Sequence, residues 1–424
     1  MAKPVSLQLY RAVMTALSPL LPLYLGRRAK AGKEDSTRLD ERFAHYHHAP
    51  HSSGERIWLH GVSVGEVSAA LVLAQELKPH FPQAHFIITT GTVTAAQMVM
   101  NTKGDLPLTH HYAPFDAPHI MSRFFTYHKP DFGVIFESDF WPVMMTSAHE
   151  HNIPLFLAST QMSLQSADNW QKAPSLAQAV FAPVRACFTH DKIQADIFKR
   201  FGVSHIEAVG SLKLPRYEPR KTDFANALSQ AAKTRPILLG ASTHEGEEEQ
   251  LLALSDNLTA KGCDHLLIIA PRHPDRADKV AEMIPRAKRR SLRQLPDAYD
   301  NAYLCDSLGD MPSLYQASDI IWLGASFSGK GGHNPLEAAS YGKIVICGPS
   351  QFKNQNEYDQ LMAQDVCHQI SDPSLGASFI MSILADKDRQ KEIAKAGKAY
   401  AKQATKRAAN VADKIADIMK GTKE

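Results

Sequence analysis

Short, nearly continuous apolar runs alternate with helix-like stretches along almost the whole chain, and this alternation restricts the possible folds more than any other feature. In the first half the predicted strands are RIWLH, HFIITT, DFGVIF, PLFLAS, RACFT and IEAVG. In the second half they are PILLGA, HLLIIA, AYLCD, DIIWLGA and KIVICG. Strands that are apolar on both faces are typical of parallel sheets covered by helices on either side. The pattern therefore predicts an α/β protein.

The strands fall into two series, which indicates two doubly wound domains. A chain of 424 residues is long enough for each domain to bury its own core. The Pro-rich, charged stretch 211–223 separates the series and is the predicted linker. Because such sheets bind ligands at the carboxyl ends of their strands, we expect two facing domains with the site in the cleft between them.

The predicted domain boundaries follow from this division. We expect an N-terminal segment at 1–43, a first Rossmann-like domain at 44–215, a second at 224–400 and a C-terminal helix at 401–424. That helix belongs to a stretch rich in Ala and Lys, and we expect it to pack on the second domain.

Charge and cysteine content exclude two classes of function. The chain has 47 Lys and Arg against 44 Asp and Glu, whereas a nucleic-acid-binding surface carries a strong excess of basic residues. The five cysteines are scattered and form no C-x-x-C motif, so neither a zinc site nor a disulfide framework is predicted. We therefore expect no nucleic-acid partner and no bound metal.

The N-terminal segment contains an apolar run, 12–25, that is interrupted by Pro19 and Pro22. A membrane-spanning helix needs about 20 apolar residues, and this run is shorter. Three interpretations remain: a secretory signal, a helix buried on the protein, or an amphipathic helix in the membrane interface. The last is favoured by an apolar helical face and by flanking cations (Tyr10, Val13, Met14, Leu17 and Leu21; Arg11, Arg27, Arg28, Lys30 and Lys33).

One pattern recurs at three predicted strand ends: a Ser or Asn is followed three residues later by a Glu. The pairs are Ser63–Glu66, Ser242–Glu245 and Asn334–Glu337. This spacing predicts capping boxes that open helices, with Pro335 at the first helical position. The same spacing suits function, because helix N-termini bind anions and a glutamate there can act as a general base. Both interpretations stay open at this point.

Other polar groups follow the strands directly. Glu137 and Asp139 come after DFGVIF and suit acid–base chemistry, metal binding or a solvated strand end. Arg272 follows HLLIIA and suits a phosphate or carboxylate. The glycines of the loop 329–342 permit close approach to a ligand. A Walker A motif and a G-x-G-x-x-G after the first strand are both missing, which argues against nucleoside triphosphate or NAD binding.

Taken together, these motifs resemble those of the bacterial Kdo transferases, the lipid A core enzymes. The matching stretches run in order from Trp58 to Lys343: WLHGVSVGEVSAA, FESDFWP, VGSLK, ASTHEGEE, APRHPDR, DSLGDMPSLYQASD and GGHNPLEAASYGK. The resemblance implies a GT-B fold, which is two facing Rossmann-like domains. It also implies inverting, metal-independent transfer of Kdo from CMP-Kdo to a hydroxyl of a lipid A precursor, without a cofactor.

The resemblance also implies roles for particular residues. Glu66 corresponds to the family's general base, and Glu137 and Lys213 correspond to positions that stabilise the transition state. The implied CMP contacts are Pro271, Arg272, Leu308, Gly309, Asp310, Asn334, Pro335, Leu336 and Glu337. The N-terminal segment is implied to associate with the inner membrane on its cytoplasmic side.

This chain departs from the family pattern near the acceptor side. Gln161 and Gln165 stand where the family usually has arginines, and Asp310 stands where it has a glutamate. These departures concern the identity of the acceptor and the number of sugars added. Two rival functions also stay open. One is a GT-B-fold nucleotide-sugar 2-epimerase, which needs no lipid acceptor, and the other is a non-enzymatic bilobal binding protein.

Overall fold

Two parallel β-sheets of seven strands each form the framework of the protein. The structure is a computed structural model that describes residues 3–46, 54–102, 104–212 and 222–421. The chain divides into a first unit, Met1–Pro215 with Ala404–Glu424, and a second unit, Arg216–Gln403. Each unit contains one sheet, so the α/β prediction is confirmed.

The first unit contains the first sheet, whose strands run in the order β3-β2-β1-β4-β5-β6-β7. They are β1 (Arg56–Gly61), β2 (His85–Thr90), β3 (Leu108–Tyr112), β4 (Phe132–Phe136), β5 (Leu155–Thr160), β6 (Ala186–Thr189) and β7 (Ile206–Ala208). The helices before and between these strands are α1 (Val5–Leu17), α2 (Leu21–Lys30), α3 (Val64–Leu77), α4 (Val93–Thr102), α5 (Pro118–His128), α6 (Pro142–Glu150), α7 (Leu164–Gln171), α8 (Pro174–Phe181) and α9 (Lys192–Arg200).

The second sheet has the order β10-β11-β9-β8-β12-β13-β14. Its strands are β8 (Ile237–Thr243), β9 (Leu266–Pro271), β10 (Lys288–Arg289), β11 (Ala302–Leu304), β12 (Ile320–Leu323), β13 (Ile344–Cys347) and β14 (Cys367–Gln369). The remaining helices are α10 (Asp223–Ala232), α11 (Glu247–Ala260), α12 (Ala277–Met283), α13 (Met311–Ala317), α14 (Leu336–Ser340), α15 (Gln355–Met362), α16 (Pro373–Ala385), α17 (Lys387–Thr405) and α18 (Arg407–Gly421).

The central strands are apolar on both faces because each sheet is covered on both sides. In β1, Ile57 and Leu59 belong to one buried cluster, whereas Trp58 between them belongs to the cluster on the opposite face. Side chains alternate along a strand, so a continuous apolar run supplies two cores at once. Every run that was predicted as a strand forms one.

Three strands were missed by the sequence analysis: β3, β10 and β14. All three lie at an edge of their sheet, and their sequences, LTHHY, KR and CHQ, are short or polar. An edge strand has a neighbour on one side only and tolerates polar residues. The apolar pattern therefore does not extend to them.

In each sheet the strand order reverses beside the first strand of that unit. From β1 the chain proceeds to β2 and β3 on one side and then returns to β4 on the other. The same reversal separates β8 from β12 in the second sheet. Loops diverge at such switch points and leave an open crevice at the carboxyl ends of the strands, where doubly wound proteins bind ligands.

The N-terminal helices α1 and α2 have two different apolar faces. Leu7 and Leu25 are buried, and Tyr10, Met14 and Leu21 pack against the first unit's core. The opposite face is exposed and apolar, and it consists of Val5, Leu9, Val13, Leu17, Leu20 and Leu23. The single face expected from sequence is therefore wrong, because Val13 and Leu17 point away from Tyr10 and Met14.

The length and hydropathy of the helices bear on membrane insertion. None of the helices in the described ranges combines the length and the apolar character that crossing a bilayer requires.

The C-terminal helix α18 packs on the first unit, so its expected place on the second domain is wrong. Its buried face contacts α3, and it contributes Ala408, Val411, Ala412, Ile415, Ala416 and Met419 to the core around β1. An ion pair between Lys414 and Glu207 adds a polar contact. The apolar spacing in α18 shows that one face is buried, but it carries no information about which sheet covers that face.

Candidate active site

Glu66 lies in the first turn of α3, just beyond the carboxyl end of β1. Ser63 caps this helix by accepting a hydrogen bond from the Glu66 backbone N–H. The Glu66 carboxylate accepts bonds from the Val62 N–H at 2.6 Å and from the Ser63 hydroxyl at 2.9 Å. The predicted capping box is confirmed here, although the carboxylate accepts from the backbone N–H of Val62 instead of the backbone N–H of Ser63. Each oxygen keeps lone pairs with which it can accept a proton.

Glu137 follows β4 directly and therefore lies at the same switch point as Glu66. Its side chain is 5% exposed, and its φ of 57° is unusual for a residue other than glycine. The Gln161 amide donates a hydrogen bond to Glu137 Oε2 at 3.4 Å. The position at which the resemblance expects an arginine thus gives Glu137 a neutral donor.

A buried histidine, His60, connects the two strands at this switch point and was missed by the sequence analysis. Its Nε2 lies 2.5 Å from Asp139 Oδ2, and its Nδ1 lies 2.8 Å from the Thr89 hydroxyl. Trp58 Nε1–H donates to the same hydroxyl, so Thr89 links the two rings. His60 donates from Nε2 to Asp139, because an ionised carboxylate only accepts. Trp141 Nε1–H donates to the other Asp139 oxygen at 2.7 Å.

In the second unit, three predicted segments follow neighbouring strands and lie beyond the same edge of the sheet. Pro271 ends β9 and Arg272 comes next, with its side chain exposed. Segment 308–310 follows β11, and segment 334–337 follows β12. Since β11, β9, β8 and β12 are adjacent in the sheet, the fold brings these segments together on one unit.

Glu247 organises the loop after β12, and the motif ASTHEGEE that contains it was not predicted to have this role. Its buried carboxylate accepts four backbone hydrogen bonds of 2.8–3.0 Å, from the N–H groups of His244, Ala325, Phe327 and Ser328. The predicted capping box at Ser242 and Glu245 is wrong, because α11 begins at Glu247 after Gly246. Gly324 permits the close approach of the loop, since a Cβ there would lie 2.1 Å from the Ser242 carbonyl oxygen.

A chain of hydrogen bonds orients two histidines above this loop. Lys330 Nζ donates to His244 Nδ1 at 3.2 Å, so His244 carries its proton on Nε2 and donates to His333 Nε2 at 3.1 Å. Burial is the main reason that the pKa of His333 falls to about 4, and burial also lowers the pKa of His244. Both rings are therefore neutral near pH 7, and each can donate a hydrogen bond from one nitrogen and accept one at the other.

The segment 334–337 differs in detail from the predicted capping box. Asn334 Oδ1 accepts a bond from the Leu336 N–H at 3.0 Å, and α14 begins at Leu336 with Pro335 as the cap. The predicted pairing of Asn334 with Glu337, and Pro335 as the first helical residue, are therefore wrong. Burial raises the pKa of Glu337 to about 7.

Asp310 is held by Arg290, which belongs to the basic stretch RAKRRSLR at 286–293. Arg290 donates from Nε and Nη2 to its two oxygens at 3.0 and 3.3 Å, while the guanidinium lies 3.8 Å from the centre of the Phe224 ring. Partial burial disfavours the carboxylate, but the bonds from Arg290 and Ser307 outweigh it and lower the pKa of Asp310. Beside it, Leu308 is 78% exposed and Gly309 has a φ of 90°.

Two further predictions concern Lys213 and the binding of a metal ion. Lys213 lies outside the described residues. Within the parts of the chain that are described, no group of three or more His, Cys, Asp or Glu side chains is arranged to hold a metal ion.

Comparison with known proteins identifies the family. Residues 37–216 match the family model described as 3-deoxy-D-manno-octulosonic-acid transferase (kdotransferase). A 3-deoxy-D-manno-octulosonic acid transferase of Rickettsia bellii is 31% identical over 355 residues, which cover 82% of this chain and 84% of the relative. The transferase of Haemophilus influenzae is 29% identical and covers 92% of this chain and 93% of the relative. The chain belongs to the Kdo transferase family. It is therefore a glycosyltransferase.

Solved structures with little sequence identity show the fold of this Kdo transferase family member. The Anabaena protein HepE in complex with UDP and glucose superposes with a TM-score of 0.57 at 15% identity, covering 86% of this chain and all of HepE. A UDP-N-acetylglucosamine 2-epimerase gives 0.56 at 13% identity, with 80% and 90% covered. The two-domain GT-B fold is thereby confirmed. The likeness to an epimerase is one of fold, whereas the family match decides in favour of a transferase.

We expect Glu247→Gln to loosen the loop after β12. An amide accepts with its oxygen alone, so its NH₂ group would face two backbone N–H donors that lose their acceptor. Each unsatisfied buried donor costs about 1–3 kcal/mol. Urea denaturation should show a lower free energy of unfolding for the second unit, whereas Glu249→Gln, on the exposed side of the same helical turn, should leave it unchanged. An unchanged value in Glu247→Gln would contradict this role.

We expect Glu337 to make the stability of the second unit depend on pH. Its folded pKa of about 7 exceeds the ordinary value of 4.5, so the folded state binds more protons and its stability falls as pH rises through that window. His333, with a pKa lowered to about 4, contributes the opposite trend. The stability of the unsubstituted protein is therefore compared with that of Glu337→Gln at each pH.

As the pH rises from 4.5 to 7, the free energy of unfolding of the variant should increase relative to that of the unsubstituted protein by on the order of 2–3 kcal/mol. Calorimetric or urea unfolding measures this difference. A difference that stays constant across this range would show that Glu337 titrates normally.

Proposed function

We propose that this protein transfers Kdo from CMP-Kdo to a hydroxyl group of a lipid A precursor. The observation that carries the proposal is membership of the Kdo transferase family, supported over most of the chain length. The geometry agrees with the proposal, because each unit presents the polar groups that one half of the reaction needs. The first unit offers a carboxylate base and the second offers groups suited to a phosphate.

Glu66 is the proposed general base. It takes the proton of the acceptor hydroxyl while the hydroxyl oxygen forms a bond to the anomeric carbon of Kdo. The bonds from Val62 and Ser63 fix the carboxylate, so little reorientation is needed during the reaction. Attack from the side opposite the nucleotide inverts the anomeric centre.

The second unit is the proposed donor site. When the bond between the anomeric carbon and the phosphate oxygen breaks, its electron pair stays on CMP, which gains a full negative charge. Arg272 and neighbouring backbone N–H groups can stabilise that charge. The proposed CMP contacts are Pro271, Arg272, Leu308, Gly309, Asp310, Asn334, Pro335, Leu336 and Glu337. The stabilising cation on phosphate makes a metal unnecessary in this scheme.

Glu137 and Lys213 complete the proposed catalytic set. Glu137 lies at the switch point of the first sheet, where a carboxylate can stabilise the positive charge that develops on the sugar ring. Lys213 follows Leu212, whose N–H donates to the Ser159 hydroxyl at 3.1 Å beside the end of β5. Its proposed role rests on the motif GSLK.

We also propose that the protein acts at the cytoplasmic side of the inner membrane. The exposed apolar face of α1 and α2 includes Val5, Leu9 and Leu23, which are 81%, 64% and 71% exposed. Arg27 and Lys30 are exposed at the end of α2, where they can meet anionic headgroups. A lipid acceptor would thus be met at the surface in which it resides.

Replacing Glu66 by Gln should reduce Kdo transfer by about 10²–10⁴-fold, because general base catalysis contributes that much. Binding of CMP-Kdo, measured by calorimetry, should persist. Mass spectrometry of a lipid A precursor incubated with CMP-Kdo reports the transfer, and the surface variant Glu392→Gln on α17 is the control. Near-normal transfer by Glu66→Gln would remove Glu66 from the base role, and no transfer by the unsubstituted protein would contradict the proposed function.

Replacing Leu9 by Glu should weaken binding to vesicles containing anionic lipid by about tenfold or more, since burying a leucine contributes about 1.5–3 kcal/mol. Co-sedimentation with the vesicles measures the effect. The control is Met100→Glu, a similarly exposed apolar residue on α4. Equal binding of both variants would exclude the α1–α2 face as the contact.

A further inference from the structure

Two exposed cations at the carboxyl end of the second sheet have no carboxylate partner among the described residues. Arg272 follows β9, and Lys330 lies in the loop after β12. In contrast, Arg276 in the same loop as Arg272 is paired with Glu248 at 2.8 Å. We propose that Lys330 binds the carboxylate of the donor sugar, an inference that rests on the proposed function.

The donor carries two anionic groups that must be bound side by side. In CMP-Kdo the phosphate oxygen and the carboxylate of the sugar acid are both attached to the anomeric carbon, so the two charges are close neighbours. Arg272 is the proposed partner of the phosphate. A second cation beside it, with donors that match a carboxylate, would distinguish an acidic sugar from a neutral one.

Arg272 and Lys330 both lie near one histidine, His244. Lys330 Nζ is 3.2 Å from His244 Nδ1. Burial lowers the pKa of His244 most, and the positive charges of Lys330 and Arg272 lower it further. The ring of His273, the residue after Arg272, lies 5.8 Å from that of His244. The two cations therefore belong to one surface of the second unit, on which neighbouring anionic groups can bind together.

The histidine rings beside Lys330 position its ammonium group, because their nitrogens already have partners within the protein. His244 accepts from Lys330 at Nδ1 and donates from Nε2 to His333 at 3.1 Å. His333 also bonds to the Ser242 backbone. An ammonium group has three N–H donors, and His244 uses one of them. Two donors of Lys330 therefore remain for the oxygens of a carboxylate, which makes Lys330 a binding residue and His244 a positioning residue.

The backbone of the loop that contains Lys330 is fixed by its own contacts. The N–H groups of Lys330 and Gly332 both donate to the Ala325 carbonyl oxygen, at 3.2 and 2.9 Å. Ala325 has a φ of 63°, which is uncommon for alanine, and its N–H is held by Glu247. At Gly332 a Cβ would lie 2.7 Å from Tyr358 Oη, so the loop packs tightly there. A loop that is ordered in advance loses little entropy when the donor binds, which favours selective binding of one charged group.

The test compares the binding of two ligands to the full chain, CMP-Kdo and CMP, which lacks the sugar carboxylate. Calorimetry without acceptor measures both dissociation constants. We expect Lys330→Gln to weaken binding of CMP-Kdo about tenfold, through loss of a hydrogen bond between charged groups, and to leave CMP binding unchanged. Lys330→Arg keeps the positive charge and should retain most of the affinity. Lys261→Gln, at another exposed lysine of the second unit, should bind both ligands normally.

Two binding results would overturn the inference. Equal weakening of CMP and CMP-Kdo in Lys330→Gln would assign the lysine to the phosphate, and unchanged binding of both would exclude it from the donor site. His244→Phe removes the acceptor next to Lys330 and should cause a smaller loss, again of CMP-Kdo binding alone. An equal loss for CMP would contradict the positioning role of His244. Lys330 is a surface residue, so its variants stay informative even if His244→Phe folds poorly.

Transfer assays separate this inference from the proposed function. In Lys330→Gln the KM for CMP-Kdo should rise about tenfold while the KM for the lipid A precursor stays constant. Transfer with an unchanged KM for CMP-Kdo would overturn the carboxylate assignment and leave the proposed function standing. Selective binding of CMP-Kdo through Lys330, without any Kdo transfer by the unsubstituted protein, would overturn the proposed function instead.

Discussion

The reversal of strand order at the centre of each parallel sheet is the constraint on which the rest of the structure depends. Because the loops on either side of that point run in opposite directions, they leave the strand ends uncovered. In the first unit, His60 lies in β1, Glu66 follows that strand, and Glu137 and Asp139 follow β4. In the second, Glu247 follows β8 and holds the loop after β12. Chemistry-bearing groups of both units are therefore positioned by the same topological device.

Both units contain buried carboxylates, and each is compensated by several hydrogen-bond donors. Burying an isolated carboxylate costs several kcal/mol. Glu247 offsets this cost with four backbone N–H groups, and Glu34 does so with two guanidinium groups. Such groups cannot reorient without losing bonds. The result is a rigid arrangement of dipoles, which favours stabilisation of charge as it develops in a reaction.

The N-terminal helices show how one apolar sequence can serve two surfaces. Tyr10, Met14 and Leu21 complete the core of the first unit, whereas Leu9 and Leu23 stay exposed. The free energy of packing on one face holds the helices in place, so the opposite face remains available without any further folding. In the proposed function this second face meets the membrane.

The sequence predicted residues whose partners are close in the chain and missed those whose partners are far away. Glu66 was found because its cap, Ser63, is three residues away. His60 and Asp139 are 79 residues apart, Arg290 and Asp310 are 20 apart, and Glu247 bonds to N–H groups about 80 residues away. No local pattern reports such pairs. The two wrong capping boxes have the right spacing but lie in loops whose paths are decided by these distant contacts.

By itself the sequence determined the fold class, the central strands and the family, because burial on both faces requires continuous apolar runs and the motifs at strand ends are local. Tertiary structure alone decided the edge strands, the packing of α18 on the first unit, the outward face of α1 and the partners of the buried charges. These depend on which surfaces meet in space. Apolar spacing specifies that a face is covered, but it does not specify what covers it.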